Sequence, residues 1–135
     1  MVGDVNIGKS QRLRRRSQPL PLRVDIDEHA SEIERFQQRI VVGPLITDCS
    51  VWVGGISDDG YGVFRIRRDG VSRVIRTSRY ALALASPGHE LAPHVMGLHE
   101  CDNTICVRVV LEPDVLRGVP AHVIGGDQRA NMARM

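Results

Sequence analysis

Between His99 and Asn131 the chain reads His-Glu-Cys-Asp-Asn-Thr-Ile-Cys, then His122, then Asn131 nine residues further on. Each of these types brings a distinct chemistry. Neutral imidazole takes a proton from water, thiolates bind a soft cation, and an amide oxygen binds a hard one. In this order they are the components of a metal-supported site for hydrolysing a phosphodiester. Cys101 and Cys106 have the spacing C-x4-C, which suits two thiolates on one loop around zinc. A tetrahedral site needs two more ligands. Cys49 is the only remaining cysteine, and His122 is the best-spaced imidazole. Such a Cys3His site would staple the segment after Cys49 to the C-terminal region, with a contribution to folding on the order of 10 kcal/mol. The alternative is that these cysteines are small buried hydrophobes; His99 and Asn131 in the same stretch weigh against it. His99 stands two residues before Cys101, where a metal-tied loop would fix it as a general base. Asn131 is placed to hold Mg2+ or a similar divalent cation against the phosphate and the departing 3′ oxygen.

Side chains so far apart in sequence need a frame, and the expected fold class is α+β. Asp25 or Asp27 can cap a helix over 25–40, with Ile33, Phe36 and Ile40 on one face. The period then changes. Cys49–Gly54, Gly60–Arg67 and Val71–Arg76 are β-prone runs separated by D-D-G and R-D-G turns, so a small twisted antiparallel sheet is expected over 48–77. Tyr80–Ala85 follows Thr77-Ser78 and stops at Pro87-Gly88, as a short capped helix would. His99 should end a strand leading into the cysteine loop. Residues 107–121 read as an excursion punctuated by Pro and Gly, and Gly125-Gly126-Asp127 as the entry to a terminal helix carrying Asn131.

Charge is unevenly spread. The net value is only +2, yet residues 1–23 carry +5 and residues 60–80 another +5. Residues 1–23 are polar, Arg-rich (Arg14, Arg15, Arg16) and end in P-L-P-L, the composition of a flexible basic arm preceding a single domain over 24–135. Arg65, Arg67, Arg68, Arg73, Arg76 and Arg79 form the second block. Two arginine concentrations on a near-neutral chain suit two contact surfaces for a polyanion; a solvated tail and an exposed hairpin are the plainer reading. No apolar run reaches the roughly 18 residues of a membrane span, and no apolar leader opens the chain. With three cysteines, two of them close together, thiolate ligands in a reducing compartment are expected. A cytoplasmic, nucleoid-associated location in a host cell follows as the expectation.

The pattern H-x-C-x4-C, a later His, and an Asn nine residues beyond it resembles the His-Cys box homing endonucleases of the HNH, or His-Me finger, superfamily. Upstream, Cys49-Ser-Val-Trp52-Val-Gly54 followed by D-G-Y-G-V-F is similar to the lead-in of phage-type HNH proteins. Downstream, H-V-I-G-G-D-Q-R-A-N-M-A-R-M is similar to their ending. The resemblance spans about residues 45–135. It implies a ββα-metal core over 95–135, with His99 as general base and Asn131 as ligand of the catalytic divalent metal. Cys49, Cys101, Cys106 and His122 would then form a structural zinc site. An arginine on the hairpin would contact the scissile phosphate; Arg73 is the best positional match, with Arg65, Arg67 and Arg76 as competitors. Sheets of this family lie in the DNA major groove, so Arg65, Arg67, Arg68, Arg76 and Arg79, with Arg14, Arg15 and Arg16 of the arm, are expected to contact double-stranded DNA.

Three departures from the pattern stand out. Fifteen residues separate Cys106 from His122, a longer gap than the family pattern, which leaves His89 and His94 as fallback ligands. The slot that holds His-Arg in many relatives reads Ser78-Arg79. The chain ends four residues after Asn131, without the C-terminal extension through which some relatives dimerise, so a homodimer is an open expectation. The first reading is a metal-dependent DNA endonuclease of homing or phage type. A second is a catalytically inactive, zinc-stabilised DNA-binding module, acting as a regulator or as part of a phage particle or larger complex. An RNA-binding domain is a third, and the scarcity of aromatics at 4% argues against it.

Overall fold

In the computed structural model, which describes residues 20–126, Asp69 and Gly70 turn the chain back on itself with φ of 52° and 76°. Positive φ at both central positions is the geometry an Asp-Gly pair supplies to a two-residue hairpin. It joins β4 (Val63–Arg68) to β5 (Val71–Arg76), paired from Val63↔Arg76 to Arg68↔Val71. Alternation along the hairpin sends Phe64, Ile66 and Ile75 inward, while Arg65, Arg67, Val74 and Arg76 face out.

The remaining elements form around that inward face. They are β1 (Leu22–Arg23), α1 (Ala30–Gln37), β2 (Ile40–Val42) and β3 (Ser50–Trp52), then α2 (Thr77–Ala85), a 3-10 turn at Pro87–His89 and β6 (Glu90–Leu91). β7 (Met96–His99), α3 (Glu112–Leu116) and β8 (Val123–Gly126) complete the described chain. The class is α+β as expected, built from four antiparallel strand pairs: β1–β6, β2–β3, β4–β5 and β7–β8. Three aromatics surround Phe36, whose ring centroid lies 4.5 Å from Tyr80, 5.2 Å from Trp52 and 5.3 Å from Phe64. Aromatic pairs at such separations add to the burial of their own area, and they join α1, β3, β4 and α2 in one core.

Several expected boundaries move. The helix foreseen over 25–40 is regular only from Ala30 to Gln37. Asp25 Oδ1 accepts the backbone N–H groups of Asp27 and Glu28, making a separate turn before the helix. Ile40 leaves the helix to pair with Trp52 across β2–β3. The single sheet expected over 48–77 is instead two pairs, because β3 takes β2 as its partner. Gly54-Gly55 and the Ser57–Tyr61 turn interrupt the ladder, leaving only an Ile56↔Gly62 bridge toward the hairpin. α2 begins at Thr77 with no side-chain cap; Thr77 and Ser78 are buried inside its first turn. The end of the supposed arm is structured, since Leu22 is fully buried and pairs with Leu91. Arg14, Arg15, Arg16, Asn131 and the expected terminal helix lie outside the described residues. Among the described residues, no helix is long and apolar enough to cross a membrane.

Candidate metal centre and the His99 neighbourhood

Cys49 immediately precedes β3, and the loop after β7 carries Cys101 and Cys106. Backbone hydrogen bonds bring these segments together: Trp52 N–H to Ile105 O at 2.9 Å and Val107 N–H to Ser50 O at 2.8 Å, flanking a Val51↔Cys106 bridge. Val123 N–H donates to Arg108 O and Glu100 N–H to His122 O, which adds the start of β8 to the same junction. Arg108 fixes the approach to Cys49, donating to Ile46 O at 2.6 Å and Asp48 O at 2.7 Å.

The result is a cluster of Cys49, Cys101, Cys106 and His122 whose ligand atoms all lie within 4.8 Å of one another. His122 Nδ1 is 3.5 Å from Cys49 Sγ and 3.7 Å from Cys106 Sγ. A tetrahedral zinc with Zn–S of about 2.3 Å and Zn–N of about 2.0 Å requires N···S separations near ~3.5 Å, so the donor set fits that ion in type, number and spacing. Backbone amides are already aimed at the sulfurs: Arg108 N–H reaches Cys106 Sγ at 3.5 Å, and the Asn103 amide bonds Cys101. The latter contact follows from Asp102, whose φ of 60° turns the chain back toward Cys101. Such donors favour thiolate over thiol. Without a cation, burial pushes the Cys106 thiol up to about 12 and raises that of Cys101 as well. Binding a dication therefore displaces protons, and affinity falls on acidification. The fallback ligands are elsewhere: His89 Nδ1 pairs with Leu84 O, and His94 is exposed outside the cluster.

His99 ends β7 opposite Val123, as expected for a strand leading into the loop. Burial holds its imidazole below the ordinary pKa, opposed by a hydrogen bond to the Cys106 backbone and reinforced by the charge of Arg76. Its Nε2 is buried and has no partner among the described residues. The ring lies 5.9 Å from that of Tyr61, and the Arg76 guanidinium sits 4.1 Å over the other ring's centroid. Arg76 also pairs with Asp59 at 2.6 Å.

The arginine block of residues 60–80 divides by role. Arg68 grips the buried Glu32 with two guanidinium nitrogens, at 3.1 and 2.6 Å, and donates to Arg23 O. Arg79 donates to the carbonyls of Val95, Ala92 and Leu20, anchoring the approach to β7. Both are committed inside the protein. Arg73 lies on the inward-facing side of the hairpin, beside Arg68 and Arg79. Arg65 and Arg67 are exposed and make no side-chain hydrogen bond or ion pair to other described residues. Of these six, Arg76 is the one whose charge bears on His99. Sequence reasoning missed Tyr61 and Asp59 here, for which no spacing gave a signal. It also missed Glu32, where an acidic residue on the Ile33–Phe36 face was a usable clue.

No protein-family model, curated protein or solved structure matches this chain.

Proposed function

We propose that this chain is a zinc-stapled, metal-dependent endonuclease that hydrolyses DNA phosphodiesters at His99. The observation that supports this reading best is the convergence of Cys49, Cys106 and His122 on Cys101, which stands two residues from His99. That is the placement a metal-braced general base requires. In this reading His99 takes a proton from water while its other ring nitrogen is held by the Cys106 backbone. The water attacks phosphorus and the 3′ oxygen departs. Arg76, on the same side as Tyr61 and His99, would exchange its Asp59 partner for the phosphoryl oxygens and neutralise their charge. Asn131 would hold a divalent cation, whose charge would stabilise the departing oxygen. Zinc held by Cys49, Cys101, Cys106 and His122 would be structural, since four protein ligands leave no open position.

One observation favours the second reading, a zinc-stabilised DNA-binding module without catalysis: His99 Nε2 is shielded from solvent. Plasmid cleavage separates the two. The nuclease reading expects cleavage with Mg2+, none without a divalent cation, and none by His99→Ala, whose DNA affinity stays near that of the wild type. DNA binding that is unchanged by the mutation, with no cleavage by either protein on varied substrates, assigns the chain to the binding module.

A further inference from the structure

Arg35, Arg39 and Arg65 converge on an open cavity of about 300 Å3 between the end of α1 and the outward face of the β4–β5 hairpin, with Trp52, Val63 and Val74 among its walls. Among the described residues, none that lines it is acidic. The guanidinium of Arg35 lies 4.9 Å over the Phe64 ring and reaches the Arg65 carbonyl at 3.5 Å, which fixes its direction. Neither Arg39 nor Arg65 spends its side chain on a hydrogen bond or ion pair with other described residues, unlike Arg68, Arg76 and Arg79. Three like charges drawn into one concave space repel, and the arrangement is satisfied by a dianion or a phosphodiester with its attached sugar and base.

We propose that this cavity binds the phosphate of a nucleotide unit, with the apolar walls taking the sugar and base. Its volume is at the small end of the ~300–1,000 Å3 range of ligand sites, which suits one nucleotide. The cavity shares Val63 and Val74 with a second depression lined by Arg76 together with Ser57, Asp58 and Asp59, and those carboxylates mark the limit of the cationic surface. The site goes beyond the nuclease reading and does not depend on it, because binding here is measured without cleavage.

Trp52 is the only tryptophan in the chain and lines the cavity, so its indole N–H resonance reports occupancy in the full-length, zinc-loaded protein. Titrations use inorganic phosphate, thymidine 5′-monophosphate and a short single-stranded oligothymidylate. The expected result is a saturable shift with the nucleotide or the oligonucleotide. Binding should weaken by at least ~10-fold in Arg39→Ala and in Arg65→Ala, as loss of a charge-assisted contact implies, and should not change in Arg117→Ala, just after α3. Saturation by the mononucleotide identifies a free nucleotide as a ligand, whereas saturation by the oligonucleotide alone identifies a strand. Wild-type binding by both cavity variants overturns the proposal. So does inorganic phosphate binding as tightly as either nucleotide ligand, or the absence of a saturable shift with all three.

Discussion

Arg73 and Arg76 differ in the face of the hairpin they occupy. Both sit on β5 within reach of a phosphate by sequence position, but Arg73 pairs with Ile66 on the inward face and Arg76 with Val63 on the outward one. A strand residue and its third neighbour point to opposite sides of the sheet. If the nuclease reading holds, Arg76→Ala should slow cleavage by ~10^2-fold, while Arg73→Ala leaves the catalytic rate within a few-fold. The reverse order in single-turnover assays would return the role to Arg73. The cysteines were legible because only three exist and a tetrahedral zinc site draws its four ligands from Cys and His. The arginine could not be read in this way, since six compete and their facing depends on a pairing that tertiary contacts settle. Glu32 shows the same limit. Desolvation raises its pKa, but the hydrogen bonds from Arg68 and Tyr80 outweigh that and leave it below the ordinary carboxylate value. A depressed folded-state pKa means the stabilisation is present above the unfolded value, near 4.5, and is lost as pH falls through the folded one. Glu32→Gln should therefore cost about 3 kcal/mol at neutral pH. The stability gap to the wild type should close below the unfolded carboxylate value, as followed by denaturant titration across pH. A gap independent of pH would mean that the charge is not what stabilises.

At the scale of elements, β7 is the lever that places His99. Gly97 lets this strand lie flush on the first turn of α2, because a Cβ there would meet the Cβ and Oγ of Ser78 at 2.5 Å. Arg79, one residue on, holds Val95 O and so fixes the chain entering β7. The Ser78-Arg79 pair, read from sequence as a departure from the family pattern, is thus what β7 rests on. Gly97→Ala should cost roughly 1–3 kcal/mol by overpacking and shift the His99 ring signals. A fully stable variant with unmoved His99 resonances would show that the strand tolerates the displacement. Short-range signals gave the Asp69-Gly70 hairpin, the strand before the cysteine loop and the helix after Thr77. They failed at Ile40, whose β partner Trp52 lies twelve residues away, and at Leu22, paired with Leu91. Local pattern is silent about such contacts.

For the molecule as a whole, four short strand pairs and short helices leave little ladder to hold the C-terminal region against the aromatic core. The junction at Cys49, Cys106 and His122 takes that role, and chelation should unfold or loosen this region, as small zinc-dependent domains do. The most direct measurement is zinc X-ray absorption on the full-length protein, alongside its metal content. One zinc per chain is expected, with three sulfur neighbours at about 2.3 Å and one nitrogen at about 2.0 Å, and Cys106→Ser should be either metal-free and unfolded or altered in that shell. A natively stable protein that takes up no zinc, or a shell without the sulfur of Cys49, would contradict this expectation.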